Sequence, residues 1–174
     1  AEARARRVRP ARDDKVLADW NGLMISALVT AATTFDEPRW LDAARAAFRF
    51  VVTRLGDGDR LHHVWRAGVA RHPGTLDDYA NMARAALALH AATAEDAFLT
   101  QARAWVATAN RHHADRAQPG WFLSADDTID VLVRTKPIND NAVPAGNGTM
   151  VEVLARLWLL TGEAAYRDQA EAAA

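Results

Sequence analysis

The sequence contains no cysteine, which excludes a disulfide, a thiolate metal site and a redox-active thiol. Lysine is nearly as scarce, because only Lys15 and Lys136 accompany the arginines. Their presence in an arginine-rich chain indicates either a required ammonium group or chance. No apolar run approaches the roughly 20 residues of a membrane-spanning helix, and no signal peptide is visible. These absences predict no membrane partner and favour the cytoplasm.

Net charge is also nearly absent. The 174 residues carry 21 basic and 22 acidic side chains, so no overall field recruits nucleic acid. The arginines at positions 4–12 form a local basic run, for which a solvated lead-in segment is favoured over a phosphate-binding arm. The chain starts without methionine and ends within a helical pattern, which predicts a piece of a longer protein.

Helical hairpins repeat along the chain. Apolar residues recur at spacings of three and four, and this pattern predicts helix pairs over about 19–55, 76–113 and 146–174. Between the pairs, short alternating segments predict β-hairpin inserts over about 60–72 and 120–135. The unit is therefore a two-helix hairpin followed by an insert.

Repeated hairpins either stack as an open solenoid or close into an (α/α) toroid. The third inner helix, "NGTMVEVLARLWLLTG", is apolar on nearly every face, which predicts a layer on each side of it and favours the ring. We therefore predict an all-α domain that forms about half of an (α/α)6 toroid. The loops that precede the inner helices would meet on one side of the ring, here called the mouth.

A polar cluster precedes each inner helix: "DDKVLADWNG", "TLDDYAN" and "KPINDNAVPAGNGT". Capping explains each cluster taken alone, because carboxylates and amides stabilise helix starts. Asp78, for example, follows Thr75 at the spacing of a capping box. Capping does not require aromatic residues and both lysines at the same mouth. A ligand site is therefore the alternative hypothesis.

The residue types in the clusters favour a sugar-like small-molecule ligand. Aromatic faces stack on sugar rings, amides orient hydroxyl groups, and lysines hold an anionic group or tune a carboxylate. The predicted substrate-binding residues are Lys15, Trp20, Asn21, Tyr79, Lys136 and Asn147.

Acid–base chemistry on a sugar requires two carboxylates across the cavity, roughly 6.5–9.5 Å apart in an inverting glycosidase. The catalytic candidates come from three different hairpins: Asp14, Asp78 and Asp140. One of the carboxyl groups needs a raised pKa to act as the acid. The adjacent histidines at 62–63 and 112–113 have diverging side chains, so neither a metal nor another cofactor is predicted.

The stretches "RPARDDKVLADWNGLMISAL", "LDDYA", "RTKPINDNAVPAGNGT" and "LLTG" resemble the family of spermatogenesis-associated protein 20 and its bacterial relatives. The resemblance implies a six-hairpin glycosidase-like toroid with a thioredoxin-like partner domain in the same full-length protein. The family usually has serine where this chain has Ala145 and Gly148, so two hydroxyl groups are missing from the mouth. The motif positions implied here are Arg9, Pro10, Asp14, Lys15, Trp20, Asn21, Gly22, Asp78, Tyr79, Ala80, Asp140, Pro144 and Asn147.

Two functions follow from these observations. The first is a toroid that binds or processes a carbohydrate at the mouth, as a hydrolase or an epimerase. The second is a non-catalytic module, in which the polar clusters form a structural network and the toroid supports the thioredoxin-like domain. The fold alone does not decide between them.

Overall fold

The computed structural model describes residues 2–174, apart from the side chains of Glu2 and Ala5. The helices in this range are α1 (Glu2–Ala5), α2 (Ala18–Phe35), α3 (Pro38–Arg54), α4 (Leu76–Thr93), α5 (Asp96–His112), α6 (Gly146–Thr161) and α7 (Ala164–Ala173). The strands are β1 (Val16–Leu17), β2 (Gly56–Asp57), β3 (Arg60–Arg66) and β4 (Val69–Pro73).

The long helices form three hairpins in two layers. Helix α2 pairs with α3, α4 with α5, and α6 with α7. The first helices of the pairs lie side by side, with α4 between α2 and α6, and the second helices pack outside them. The helical fold class predicted from the repeats is confirmed.

Local sequence signals explain where the helices begin and end. Helix α4 begins at a capping box, in which Asp78 accepts hydrogen bonds from the backbone and the hydroxyl of Thr75. Helix α3 begins at Pro38, whose ring presets the helical backbone angle. Helix α6 ends at Gly162, where φ is 74°, a left-handed conformation that glycine adopts at little cost.

The first insert is the predicted β-hairpin. Strands β3 and β4 pair antiparallel around Ala67 and Gly68, which both have positive φ, as a two-residue hairpin turn requires. Strand β1 pairs with the other edge of β3, with Leu17 opposite Val64. This pairing holds β3 beside the start of α2, and therefore at the mouth.

The prediction of a β insert over about 120–135 is wrong. Within the described residues this segment forms no strand, and only one bridge, between Ala114 and Trp121, is present. Single backbone hydrogen bonds, such as that from Leu123 N–H to the Thr135 carbonyl at 2.8 Å, and side-chain contacts hold the segment instead of a strand ladder. The Trp121 indole donates to Asn110 at 2.8 Å, and Arg134 donates to the Ser124 carbonyl at 2.8 Å.

Helix α4 lies at the centre of the core, and most of its residues are buried. The third inner helix is covered less completely than predicted. Helix α6 buries Leu154 and Leu157, but Leu159 is 75% exposed and Leu160 is also exposed. Within residues 2–174, other elements therefore pack against only one side of the last turn of α6. Over the same range, no helix combines the length and the apolar character needed to cross a membrane.

Candidate functional site

The starts of the three inner helices are joined at the mouth by two consecutive aspartates of α4. Asp78 accepts a hydrogen bond from the backbone N–H of Asp19 on α2, at 2.9 Å. Asp77 accepts one from the backbone N–H of Gly146 on α6, also at 2.9 Å. Free N–H groups at helix starts favour a nearby carboxylate. Hydrogen bonds therefore link the first turns of α2, α4 and α6 to one another.

Asp78 is fully buried, and its carboxylate is held from several sides. It accepts from the Thr75 backbone at 2.8 Å and the Thr75 hydroxyl at 3.0 Å, in addition to Asp19. The His63 Nδ1 lies 2.9 Å from its Oδ2. This burial corrects the prediction that Asp78 contacts a substrate directly, because no part of its side chain reaches solvent.

Asp19, His63 and Asp78 form one hydrogen-bonded group, referred to below as the Asp19–His63–Asp78 network. Asp19 is only 7% exposed, and burial together with the charge of Asp78 raises its pKa to about 6. The pKa of His63 is also raised, first by its hydrogen bond to Asp78. The surroundings therefore favour the protonated forms of both Asp19 and His63.

Asp77 faces the mouth next to this network and is partly buried. Burial raises its pKa, while the hydrogen bond from Gly146 opposes the rise. A carboxyl group that holds its proton above the usual range suits a general acid.

The other two predicted catalytic carboxylates, Asp14 and Asp140, are exposed. Asp14 pairs with Arg66 of β3 at 2.5 Å. Asp140 accepts from the backbone of Ala145, just before α6, at 2.9 Å. Both lie on segments that lead into inner helices, and their catalytic role stays a prediction.

Of the two aromatic residues predicted to stack on a ligand, only Trp20 presents a free surface. Its side chain, in the first turn of α2, is 60% exposed. Tyr79 is completely buried, and its hydroxyl accepts from the Leu61 backbone at 3.0 Å. The stacking role predicted for Tyr79 is therefore wrong, because its ring packs against His113 in the core.

Each of the two lysines pairs with an aspartate. Lys15 lies 3.3 Å from Asp13 and remains exposed. Lys136 lies 2.6 Å from Asp115 and donates to the Pro119 carbonyl at 3.0 Å. Lys15 is therefore the lysine more available to a ligand.

The two asparagines are engaged with backbone groups. Asn147 is buried; its Oδ1 accepts from the Trp121 N–H, and its Nδ2 donates to the carbonyls of Trp121 and Pro137. This corrects its predicted role in orienting ligand hydroxyls, because these bonds use both polar atoms. Asn21 donates to the Leu17 carbonyl at 2.7 Å and keeps its oxygen available.

Sequence reasoning missed His63 and gave Asp77 and Asp19 no chemical role. A signal for His63 was present in the pair His62–His63. Side chains alternate along a strand, so one member of an adjacent pair in a β insert must point towards the helices. Nothing in the spacing identified which of the two histidines does so.

In the part of the chain that the structure describes, two groups of histidine and aspartate have side-chain atoms close enough to share a metal ion: Asp19, His63 and Asp78, and His112, Asp126 and Asp127. In the first group, backbone and hydroxyl donors already occupy the Asp78 oxygens. In the second, His112 lies 3.0 Å from Asp126, and both acids are exposed. Hydrogen bonding accounts for both groups.

Below the mouth, a groove of about 640 Å³ runs between the inner helices. Its charged walls are Arg84 on α4 and Glu152 and Arg156 on α6. Glu152 lies 2.9 Å from Arg156 and 3.5 Å from Arg84, so the three side chains form a linked set with one net positive charge.

The raised pKa of Asp19 predicts a specific pH dependence of stability. The unfolded chain releases this proton near pH 3.8, whereas the folded chain holds it up to about pH 6. The folded state binds more protons in between, so the contribution of Asp19 to the free energy of unfolding falls as pH rises through this window. Asp19→Asn should remove up to about 3 kcal/mol of this pH dependence.

Thermal unfolding of the wild type and Asp19→Asn between pH 4 and 8 measures this difference, with the exposed Asp42→Asn as the matched control. The stability of Asp19→Asn relative to wild type should increase with pH and level off above about pH 7. A constant difference across the range would show that Asp19 keeps an ordinary pKa.

Comparison with solved structures assigns the class of fold. A cellobiose 2-epimerase from Bacillus thermoamylovorans aligns over 95% of this chain and 45% of its own, with a TM-score of 0.77 and 10% identity. A family 76 glycoside hydrolase from Bacteroides thetaiotaomicron aligns over 95% of this chain and 36% of its own, with a TM-score of 0.73 and 14% identity. The three hairpins therefore have the fold of part of a six-hairpin, glycosidase-like (α/α)6 toroid.

At the level of sequence, the chain is similar to spermatogenesis-associated protein 20 over 97% of its length, with 30% identity in rat and 29% in human. An uncharacterised protein from Caenorhabditis elegans is 27% identical over the same share. No protein-family model matches the chain. The chain spans about a quarter of these relatives, 23% of the human protein. The resemblance predicted from the motifs is confirmed.

Proposed function

We propose that this chain forms part of a toroid that binds and processes a carbohydrate at the mouth. The observation that carries the proposal is the pairing of an exposed tryptophan with carboxyl groups of raised pKa. Trp20 is adjacent to Asp19, and Asp77 lies on the neighbouring helix. A flat apolar face together with carboxyl groups suits a ring that carries many hydroxyls.

The adjacent aspartates at the start of α4 support the proposal by analogy. One similar structure is an inactive variant of an α-1,6-mannanase from a Salegentibacter species, in which two consecutive aspartates are changed to asparagine. It contains α-1,6-mannotriose and aligns with this chain at a TM-score of 0.71 and 14% identity. Asp77 and Asp78 are likewise consecutive, and Asp77 is only partly buried whereas Asp78 is fully buried. In this proposal Asp77 would be the acid that reaches the ligand, and Asp78 would be its buried partner.

The exposed predicted residues complete this proposal at the rim of the mouth. Asp14 and Asp140 would contribute further carboxylates, and Lys15 would attract an acidic substituent. Asn21 would offer its free oxygen to a ligand hydroxyl. Hydrolysis and epimerisation both fit these groups, and a thioredoxin-like domain elsewhere in the full-length protein would be the partner.

The burial of Asp78, Tyr79 and Asn147 favours the second candidate function, a structural module. All three side chains form hydrogen bonds that link separate elements. In a structural module these bonds would hold the inner helices together, and the mouth would bind no sugar.

Sugar titration of two tryptophan variants separates the candidates. The panel would contain α-1,6-mannotriose, cellobiose, uronic acids and sugar phosphates, with binding measured by calorimetry. Trp20→Ala should weaken binding by about two- to tenfold, because an aromatic stacking contact contributes about 0.5–1.5 kcal/mol. Trp40→Ala is the matched control, since Trp40 is also exposed but lies at the start of α3, at the opposite end of the hairpin. Equal effects of the two variants, or no binding by the wild type, would favour the structural module.

A further inference from the structure

Neither the predicted site nor the comparisons give a role to His63, although its two ring nitrogens lie in different surroundings. Its Nδ1 lies 2.9 Å from the buried Asp78 Oδ2 and 3.1 Å from Oδ1. Its Nε2 has no hydrogen-bond partner within residues 2–174 and is not among the buried unpaired atoms. The side chain is 31% exposed. One ring nitrogen is therefore fixed by protein, and the other faces solvent at the mouth.

We propose that His63 is a catalytic acid–base residue of the mouth and that Asp78 is its positioning residue. The proposal rests on the carbohydrate function above. It assigns the proton transfer to His63 and not to the carboxylates that the sequence predicted. Because a carboxylate accepts only, the neutral ring carries its proton on Nδ1 and presents Nε2 as the base. Asp78 fixes this tautomer and the ring orientation.

The proton transfer is simple. Nε2 forms an N–H bond with a proton from a ligand hydroxyl or a bound water, the O–H bond breaks, and its electron pair stays on oxygen. The ring becomes an imidazolium and later returns the proton to a product oxygen or to solvent. A carboxylate at Nδ1 stabilises the imidazolium, as in other histidine–aspartate pairs.

The charged groups that face the ring support this role. They are Asp19 on α2 and Asp77 and Asp78 on α4, and all three are acidic. Their combined field favours the protonated ring, and the pKa of His63 is raised accordingly. A ring that can both take up and release a proton suits general acid–base catalysis.

The test uses His63→Gln with His62→Gln as the matched control. His62 is the neighbouring residue of β3, on the opposite side of the strand, and belongs to no part of the proposed site. Proton NMR of α-1,6-mannotriose and cellobiose would detect hydrolysis or epimerisation. His63→Gln should lower kcat at least tenfold with KM little changed, when measured well below the melting temperature of the variant, which should fall because His63 also contacts the buried Asp78 carboxylate. His62→Gln should keep wild-type kinetics.

The position of the ring proton is measured independently of turnover. Nitrogen NMR of the wild type should show neutral His63 protonated at Nδ1, and a proton on Nε2 would overturn the proposed pairing with Asp78.

The possible outcomes separate the two proposals. If the wild type converts a sugar and His63→Gln is equally active, the role of His63 is refuted while the carbohydrate function stands. If the wild type binds sugars from the panel but converts none, His63 is not catalytic and only the binding function remains. If no sugar binds, the carbohydrate function fails and the role of His63 fails with it.

Discussion

Asp78→Asn should destabilise the folded state by about 3–5 kcal/mol, because it removes the charge that holds several buried donors. The carboxylate accepts from the backbones of Asp19 and Thr75 and contacts His63. An asparagine side chain has one acceptor and one donor group, so its amide N–H would face a donor. Chemical denaturation measures the loss of free energy.

The matched control for this substitution is Asp14→Asn. Asp14 also forms an ion pair, with Arg66, but both side chains are more than half exposed. Exposed ion pairs contribute about 0–1 kcal/mol, so this variant should unfold almost like the wild type. Similar losses for the two variants would show that the buried contacts of Asp78 contribute little to stability.

Gly22→Ala should destabilise the protein by about 3 kcal/mol through steric conflict between α2 and α4. A Cβ atom at this position would lie 2.6 Å from the backbone carbonyl carbon of Asn81 and 2.7 Å from its oxygen. A backbone cannot move aside as a flexible side chain can, so the two inner helices must separate. The same displacement would disturb the bond between Asp19 and Asp78 one turn away.

Gly148→Ala is the control, because it makes the same chemical change in the first turn of another inner helix. Among the described residues, no atom beyond the neighbouring turn of the helix lies within 4 Å of a Cβ at this position. Alanine also favours the helix over glycine, so this variant should be more stable by about 0.5–1 kcal/mol. If Gly22→Ala were also stabilising, the close approach of α2 to α4 would be incorrect. Thermal unfolding of both variants decides the matter.

The helical hairpins could be predicted because their signals are local. Apolar spacing indicates the buried face of each helix, and the capping box at Thr75 and Asp78 marks the start of α4. The segment over 120–135 could not be predicted in the same way. Its shape depends on contacts with residues far along the chain, such as the bond between Asn147 and Trp121.

The position of the site could be predicted from the sequence, but the roles of its residues could be predicted only in part. The polar clusters do lie at the starts of the inner helices, and Trp20 is exposed there. Sequence spacing could not tell which polar side chains face the ligand and which face the protein. Asp77 and Asp78 are neighbours in sequence, yet Asp78 is fully buried and Asp77 is not. That difference arises from the packing of β3 on α4.

The central claim is that the mouth binds a sugar, and chemical-shift mapping on the wild-type chain tests it most directly. The chain would be titrated with the panel of sugars, starting with α-1,6-mannotriose and cellobiose. We predict saturable shifts at Trp20, His63 and Asp77, with little change at Trp40 on the far end of the first hairpin. Saturable shifts elsewhere with these residues unchanged, or no shift with any sugar, would contradict the claim.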